Sequence, residues 1–119
     1  MKRLILVLAL AGAQPAFAQD AAQGRAVFAR CQACHVASRG AHATVGPNLF
    51  GVVSRKAGTQ AGYDYSPAMK AAGFVWSVDK LDAYLKAPAK LVPGNKMPFF
   101  GLPDPKDRLA VIAYLNTLH

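Results

Sequence analysis

The middle of the chain is rich in the two residues that most often interrupt regular structure. Between Gly40 and Pro103 lie eight of the ten glycines and six of the eight prolines of the 119-residue sequence. No run in this stretch alternates apolar and polar residues for long enough to predict a β-strand. A chain of this length forms one domain with a thin hydrophobic core, so loops this extensive need an organising centre such as a metal or a bulky cofactor. We therefore expect a small all-α domain whose long loops surround such a centre.

The amino terminus has the features of a secretory signal peptide. Lys2 and Arg3 precede an apolar run of ten residues, and a small-x-small sequence ends at Ala18. Ten apolar residues are too few to cross roughly 30 Å of hydrocarbon as a helix. The pattern predicts a signal peptide over residues 1–18 that is removed on export, and a single domain over residues 19–119. We expect a periplasmic protein with no stable membrane insertion after cleavage.

Apolar periodicity predicts a helix near each end of this domain. The first runs from Asp20 to about Ala33. The second follows Asp104, a good N-cap, and has Pro105 at its first position. The residues expected on the apolar faces are Gly24, Phe28 and Cys31 in the first helix, and Leu109, Val111, Ile112, Tyr114, Leu115 and Leu118 in the second.

Two shorter helices are predicted between them. Ser66 and Pro67 open one that ends at Gly73, because glycine commonly stops a helix in the left-handed conformation. Ser77 caps the other, which runs toward Pro88. Its inward-facing residues are predicted to be Val78, Leu81 and Leu85.

The sequence Cys31-Gln32-Ala33-Cys34-His35 carries the most specific chemical signal in the chain. In an exported protein, C-x-x-C-H is the attachment site of c-type haem. Two cysteines three positions apart on a helical turn can form thioethers with the two vinyl groups on one edge of the macrocycle. The histidine that follows can place its imidazole on the iron. The motif therefore predicts one covalent haem c, held by Cys31 and Cys34, with His35 as an axial ligand.

Two other uses of the cysteine pair remain open at this point. A thioredoxin-like dithiol would need the cysteines at a helix N-terminus in a β-α-β context, whereas here they fall near the end of a helix. A zinc site would need a second pair of ligands at finger-like spacing, which the sequence lacks.

A haem iron has a second axial face that needs a ligand. Met97 lies in the tight loop Pro93–Phe99, which is framed by turn residues and can bring a thioether close to the iron. Met69 falls within a predicted helix and is more typical of packing. His42 and His119 are rival ligands, but each is more typical of a residue exposed in a loop or at a terminus. We predict Met97 as the second ligand.

Short motifs follow the cysteine pair in a fixed order. They are Gly46-Pro47-Asn48-Leu49, Arg55-Lys56, Gly62-Tyr63 with Tyr65, Trp76, Tyr84-Leu85 with Pro88, and Pro93 to Gly101 around Met97. Together with the cysteine motif, their order and spacing resemble class I cytochrome c, of the mitochondrial type and its bacterial periplasmic relatives. The resemblance runs from Gly24 to Tyr114. It implies terminal helices that cross, with shorter helices and long loops wrapped around one covalently bound haem.

The resemblance also implies a set of site residues. The cofactor-binding residues are Cys31, Cys34, His35, Pro47, Arg55, Tyr65, Trp76, Tyr84, Met97 and Phe99, of which His35 and Met97 bind the metal. The carbonyl of Pro47 would accept the second N–H of the histidine ring, which fixes that ring.

The remaining residues of the set have roles around the macrocycle. Arg55, Tyr65 and Trp76 would bond the haem propionates. Tyr84 would reach toward the methionine sulfur, and Phe99 would cover the haem edge. One departure lies beside the methionine, where Asn95 stands at a position that is often threonine in the family.

The charge balance bears on partners. The chain has 14 Lys and Arg against 6 acidic residues, for a net charge of +8, and losing the two basic residues of segment 1–18 leaves +6. A positive face would speed association with acidic surfaces. Export argues against nucleic acid as the partner. We expect a monomer that docks with redox proteins through their acidic surfaces.

A His–Met iron leaves no open position for substrate, so the resemblance implies an electron carrier and not an enzyme. We expect a soluble periplasmic carrier that cycles Fe(III)/Fe(II). Its donor would be a bc1-type complex or a dehydrogenase, and its acceptor a terminal oxidase or reductase. Two hypotheses come from other classes: a haem peroxidase or gas-binding protein with a labile Met97, and a thiol oxidoreductase that uses Cys31 and Cys34 without haem.

Overall fold

The computed structural model describes residues 9–10, 12 and 16–119. Most of the predicted signal peptide lies outside these residues. The helices within them are α1 (Ala16–Phe28), α2 (Pro67–Lys70), α3 (Val78–Lys86), α4 (Pro88–Leu91) and α5 (Pro105–Asn116). Over the same part of the chain, strand-like pairing is limited to one bridge between Lys56 and Val75, and no helix is long and apolar enough to cross a membrane. The all-α prediction is confirmed.

The two terminal helices cross at Gly24, as predicted. A β-carbon on this glycine would lie 1.8 Å from the carbonyl oxygen of Ala110, so a side chain would force the helices apart. At the next turn of α1, the ring of Phe28 packs against that of Tyr114, with centroids 5.4 Å apart. Phe28 and Leu115 belong to the same buried cluster. The crossing therefore brings the start of the cysteine motif against α5.

Helix α1 ends at Phe28, and the prediction that it continues to about Ala33 is wrong. After Phe28 the backbone bonds tighten to the i→i+3 type, with the N–H of Cys31 donating to the carbonyl of Phe28 at 2.8 Å. The N–H groups of Cys34 and His35 then both donate to the carbonyl of Cys31, at 3.1 and 2.9 Å. The cysteines thus lie on a turn that follows the helix.

Side-chain caps confirm three of the four predicted helix starts, whereas α1 begins at Ala16 and not at the predicted Asp20. Ser66, Ser77 and Asp104 each accept a backbone N–H from the first turn of α2, α3 and α5 respectively. Helix α2 ends at Lys70, three residues before the predicted end at Gly73, although Gly73 does adopt the left-handed conformation with a φ of 75°. The sequence analysis missed α4, where Pro88 opens a helix instead of only ending the previous one.

Two apolar residues that were predicted to face inward are exposed. Leu109 in α5 is 56 % exposed and Val78 at the start of α3 is 48 % exposed. Arg108 takes the buried position in α5 instead. Its guanidinium donates to the carboxylate of Asp82 at 2.8 Å and to the carbonyl of Leu102 at 2.7 Å. These bonds satisfy the buried cation and tie α5 to α3 and to the loop before it.

Candidate haem site

A cavity of about 340 Å³ opens among the helices and the long loops. The residues predicted to bind the cofactor all line it: Cys31, Cys34, His35, Pro47, Arg55, Tyr65, Trp76, Tyr84, Met97 and Phe99. The rival ligands His42 and His119 do not. Its volume lies within the range of small-molecule and cofactor sites, roughly 300–1,000 Å³. The fold therefore brings together a set of residues that spans 69 positions of sequence.

The wall of the cavity is the hydrophobic core of the domain. Phe28, Leu81, Val111 and Leu115 are each at most 4 % exposed, belong to the main buried cluster and line the cavity. Such a wall accepts a flat apolar macrocycle and keeps water from it. The lining thus fits the body of a haem.

His35 is held in the orientation that a metal ligand requires. Its Nδ1–H donates to the carbonyl of Pro47 at 2.8 Å, which leaves Nε2 as the nitrogen for a metal. A β-carbon on Gly46 would lie 2.6 Å from Cε1 of the ring, so only glycine permits this approach. Burial lowers the pKa of His35, and the bond to Pro47 opposes that shift. The lowered pKa favours the neutral imidazole, the form in which a histidine binds a metal.

The turn that carries the cysteines is hydrogen-bonded to the loop that contains Thr44 and Gly46. The N–H of Gly46 and the hydroxyl of Thr44 both donate to the carbonyl of Cys34, at 2.7 and 2.8 Å. Both thiols are free. Burial raises the pKa of the Cys31 thiol, although the charge of Arg30 lowers it and Cys34 raises it further. The cysteines lie on a turn that follows a helix, not at a helix N-terminus, and the raised pKa of Cys31 is the reverse of what a catalytic dithiol needs, so both observations disfavour the thiol oxidoreductase hypothesis.

Met97 reaches the cavity from the loop between α4 and α5. Side chains along this loop alternate in exposure: Asn95, Met97 and Phe99 are half-buried, whereas Lys96, Pro98 and Phe100 are exposed. The loop ends at Gly101, where a β-carbon would lie 2.2 Å from the carbonyl of Lys86. The N–H of Leu102 donates to the carbonyl of Leu85 at 2.7 Å, which fixes that end on α3.

Arg55 places a cation at the cavity wall. Its guanidinium donates to the carbonyls of Phe50 and Asn48, at 3.1 and 3.2 Å, and to the side chain of Gln60 at 2.6 Å. The hydroxyl of Tyr65 accepts from the N–H of Gln60 at 3.3 Å. Burial lowers the pKa of Arg55 and raises that of Tyr65. A fixed guanidinium beside a neutral phenol suits an acidic group such as a propionate.

Trp76 and Tyr84 pack together on another part of the wall. Their ring centroids are 4.9 Å apart, and Trp76 is 6 % exposed. Burial raises the pKa of Tyr84 to about 12, with Tyr63 as a second cause. The hydroxyl therefore stays protonated and is able to donate a hydrogen bond.

Sequence reasoning treated Met69 as a packing residue, and the structure adds that it lines the cavity. It is 7 % exposed in the short helix α2 and belongs to the main buried cluster. A methionine within a helix gives no sequence signal that separates these two placements.

Among the described residues, His, Cys and acidic side chains form no group of three or more that would hold a metal ion.

Known proteins resemble this chain over most of its length. The Cytochrome c family description matches residues 21–119. Cytochrome c2 of Rhodomicrobium vannielii is 46 % identical over 102 residues, which cover 86 % of this chain and 82 % of that protein. Cytochrome c2 of Rhodopila globiformis is 45 % identical over 100 residues, covering 83 % and 93 %.

Solved structures resemble it as well. Cytochrome cH from Methylobacterium extorquens has 46 % sequence identity and a TM-score of 0.78, over 82 % of this chain and 98 % of that one. Cytochrome c2 from Rhodospirillum centenum has 37 % identity and a TM-score of 0.79, over 83 % and 98 %.

Proposed function

Since this chain belongs to the cytochrome c family, and is therefore an electron carrier with one covalent haem c and not an enzyme, we propose that the cavity holds this haem between His35 and Met97 and that the protein works in the periplasm. One observation carries the proposal. The two cysteines, the histidine and the methionine converge on a single cavity with an apolar wall. When bound, the haem supplies one-electron exchange between Fe(III) and Fe(II).

The residues of the chain prepare the site for that exchange. Cys31 and Cys34 anchor the cofactor to the turn after α1. The bond from His35 to the carbonyl of Pro47, 2.8 Å long, fixes the ring and raises its basicity as a ligand. The soft thioether of Met97 favours the ferrous state and so raises the reduction potential. Loops anchored at both ends keep this arrangement similar in the two oxidation states.

The residues that line the cavity also affect the stability of charges on the bound cofactor. The buried cluster excludes water, which disfavours the extra positive charge of the ferric state. Arg55 is bonded to two backbone carbonyls and so stays where acidic substituents of the cofactor would need a partner. Tyr84 keeps its proton and faces the same cavity as Met97.

The location and partners form the second part of the proposal. Lys2, Arg3 and the sequence that ends at Ala18 direct export and cleavage. The exported chain is a monomer with a charge of +6, and it meets acidic surfaces on its redox partners. The donor is a bc1-type complex or a dehydrogenase, and the acceptor is a terminal oxidase or reductase.

The test is an intact mass and an absorption spectrum of protein purified from the periplasmic fraction of a host able to attach haem. We expect a chain that begins at Gln19 and carries one haem through denaturation. We also expect the weak far-red ferric band of a methionine–iron bond. A Cys31→Ala, Cys34→Ala double variant is the control and should carry no haem after denaturation.

Each adverse result overturns a separate part. No haem in the periplasmic protein overturns the site. Haem without the far-red band overturns the role of Met97. A chain that retains residues 1–18 in the cytoplasm overturns the location. Rapid binding of carbon monoxide to the native ferrous protein favours the peroxidase or gas-binding hypothesis over a carrier.

A further inference from the structure

The side chain of Asn95 is bonded to the backbone on both sides of its own position. Its Oδ1 accepts the N–H of Met97 at 2.8 Å, and its Nδ2 donates to the carbonyl of Val92 at 3.0 Å. The backbone N–H of Asn95 also donates to that carbonyl, at 3.1 Å. One amide therefore joins the residue that carries the thioether to the residue that precedes the loop.

We propose that Asn95 is a positioning residue for Met97, whose amide clips the loop so that the thioether faces the cavity. This inference rests on the proposed role of Met97 as a ligand. Asn95 does not touch the metal in this proposal. It acts by fixing the backbone from which the methionine side chain projects.

The Asn95 amide is hydrogen-bonded to a residue of the hydrophobic core, Val92. Val92 is 3 % exposed and belongs to the main buried cluster, so its carbonyl is part of the packed core. Gly94 has a φ of 86°, a conformation that glycine adopts without strain, and it turns the chain so that Asn95 can reach back. The position of Met97 is thereby tied to the core and not only to its loop.

The far end of the loop is anchored by a different contact. The N–H of Leu102 bonds to the carbonyl of Leu85, and Gly101 lies against the carbonyl of Lys86. Between this anchor and Val92, the Asn95 clip holds the N–H of Met97, while the N–H of Phe99 donates to the carbonyl of Met97 at 2.9 Å and Lys96 donates to the carbonyl of Asp64 at 2.6 Å. Loss of the clip would leave the loop attached but the methionine less tightly placed.

The chemistry of the amide explains why asparagine suits this position. An amide has a donor and an acceptor on separate atoms, so it can serve Val92 and Met97 together. A serine hydroxyl can accept from the N–H of Met97 but replaces the two-atom amide with one oxygen. An alanine makes neither bond. Asn95→Ser and Asn95→Ala therefore form a graded series.

The experiment uses the haem-loaded protein and two readouts of the methionine–iron bond. These are the far-red ferric band during denaturant titration and the rate of carbon monoxide binding to the ferrous protein. In Asn95→Ala we expect the band to be lost before global unfolding, and carbon monoxide to bind roughly tenfold faster because both side-chain bonds that join Met97 to Val92 are lost. Asn95→Ser should lie between this variant and the wild type.

Ser77→Ala is the matched control. The Ser77 hydroxyl accepts the N–H of Lys80 at 3.1 Å, so this change also removes one side-chain acceptor of a backbone N–H, but at the start of α3. It should lower the unfolding midpoint, with the band lost together with global unfolding as in the wild type, and leave the rate of carbon monoxide binding unchanged. If Asn95→Ala behaves like Ser77→Ala, Asn95 is only a structural residue and the inference is overturned.

The two levels of failure are distinguishable. A wild-type protein without the far-red band overturns ligation by Met97, and this inference with it. A wild-type band combined with unchanged readouts in both Asn95 variants overturns the clip alone. If Asn95→Ala does not fold, Asn95→Ser decides: a carbon monoxide rate above that of the wild type supports the clip and a wild-type rate overturns it.

Discussion

The two methionines that line the cavity are held in different ways. Met69 is buried in α2, where the backbone of the helix and the surrounding core fix its place. Met97 is half-buried in a loop, with its N–H bonded to Asn95. The backbone of a loop is not restricted to helical geometry, so it can bring the Met97 side chain into the cavity from a different direction than α2 brings Met69. The same side chain therefore packs in one case and is proposed to bind iron in the other.

Identical substitutions at the two methionines test this difference. Met97→Leu should abolish the far-red ferric band, lower the reduction potential and let carbon monoxide bind, because the iron loses its thioether. Met69→Leu should leave all three unchanged and cost less than about 1.5 kcal/mol of unfolding free energy, because leucine has a similar volume. Spectroelectrochemical titration of both variants measures the potentials. Equal effects in the two would remove the distinction.

The helices place the site through a few close contacts. The tightest is the approach of α1 to α5 at Gly24, which positions the cysteine turn relative to the core. A second is the contact of Arg108 with Asp82 and with the carbonyls of Leu102 and Pro103. It joins α5 to α3 and to the end of the methionine loop, which is the segment between α4 and α5 that carries Met97. Each joins elements that are distant in sequence, so each has consequences for the cavity.

A methyl group at the helix crossing should be costly. Gly24→Ala introduces a β-carbon 1.8 Å from the carbonyl oxygen of Ala110, and we expect it to lower the free energy of unfolding by about 3 kcal/mol. Ala22→Gly, the reverse change on the exposed face of the same helix, should lower the free energy of unfolding by roughly 0.5–1 kcal/mol through helix propensity alone. Urea denaturation of both variants provides the comparison. A Gly24→Ala variant more stable than the wild type would show that the crossing has room to spare.

Asp64 connects three segments at the surface. Its carboxylate lies 3.4 Å from Lys70 in α2 and 3.6 Å from Lys96 in the methionine loop, and Lys96 also donates to its carbonyl at 2.6 Å. The charge of Lys96, followed by the hydrogen bond from Lys70, lowers the pKa of Asp64. The carboxylate is 85 % exposed, so the stabilisation is small and is screened by salt.

The lowered pKa predicts an acid-sensitive contribution to stability. Because the folded state holds Asp64 below its ordinary pKa of 3.8, the contribution is present above that value and is lost as the pH falls through the folded pKa. Asp64→Asn should therefore be slightly less stable than the wild type at pH 7. The two proteins should converge as the pH falls below the lowered pKa of Asp64 in the folded state. Unfolding midpoints across this range in low and high salt measure the effect, and a constant gap at all pH values would contradict it.

The whole molecule uses one set of residues for two purposes. Residues such as Phe28, Leu81 and Val111 are both the hydrophobic core and the wall of the cavity. A small domain with few regular elements thus builds its core around the cofactor, as the loop-rich sequence predicts. The charge of the molecule acts at longer range, where it bears on which partners approach.

Small redox reagents of opposite charge test this long-range effect. Oxidation of the ferrous protein by an anionic complex such as hexacyanoferrate should slow as salt rises from about 0.01 to 0.15 M, because the screening length falls from ~30 to ~8 Å. A cationic cobalt complex should show the reverse dependence. Stopped-flow rates with both reagents measure it. Equal dependence on salt for the two would argue against attraction by the positive charge.

The sequence alone predicted features that depend on residues close together in the chain. The helix starts at Ser66, Ser77 and Asp104 were predicted because a cap involves residues two or three apart. The haem motif could be identified from the sequence for the same reason, since its five residues are adjacent. The resemblance to a family then supplied the more distant site residues, and the cavity contains all of them.

Only the tertiary structure decided which residues at the edges of the apolar helix faces are buried and what holds the methionine loop. Leu109 is exposed and Arg108 buried because Asp82 and the carbonyl of Leu102 satisfy the guanidinium, and those partners are remote in sequence or on the loop before the helix. The end of α1 at Phe28 and the two bonds of Asn95 likewise depend on how the backbone turns. Sequence determines short-range capping and covalent spacing, whereas burial and loop placement follow from packing between distant segments.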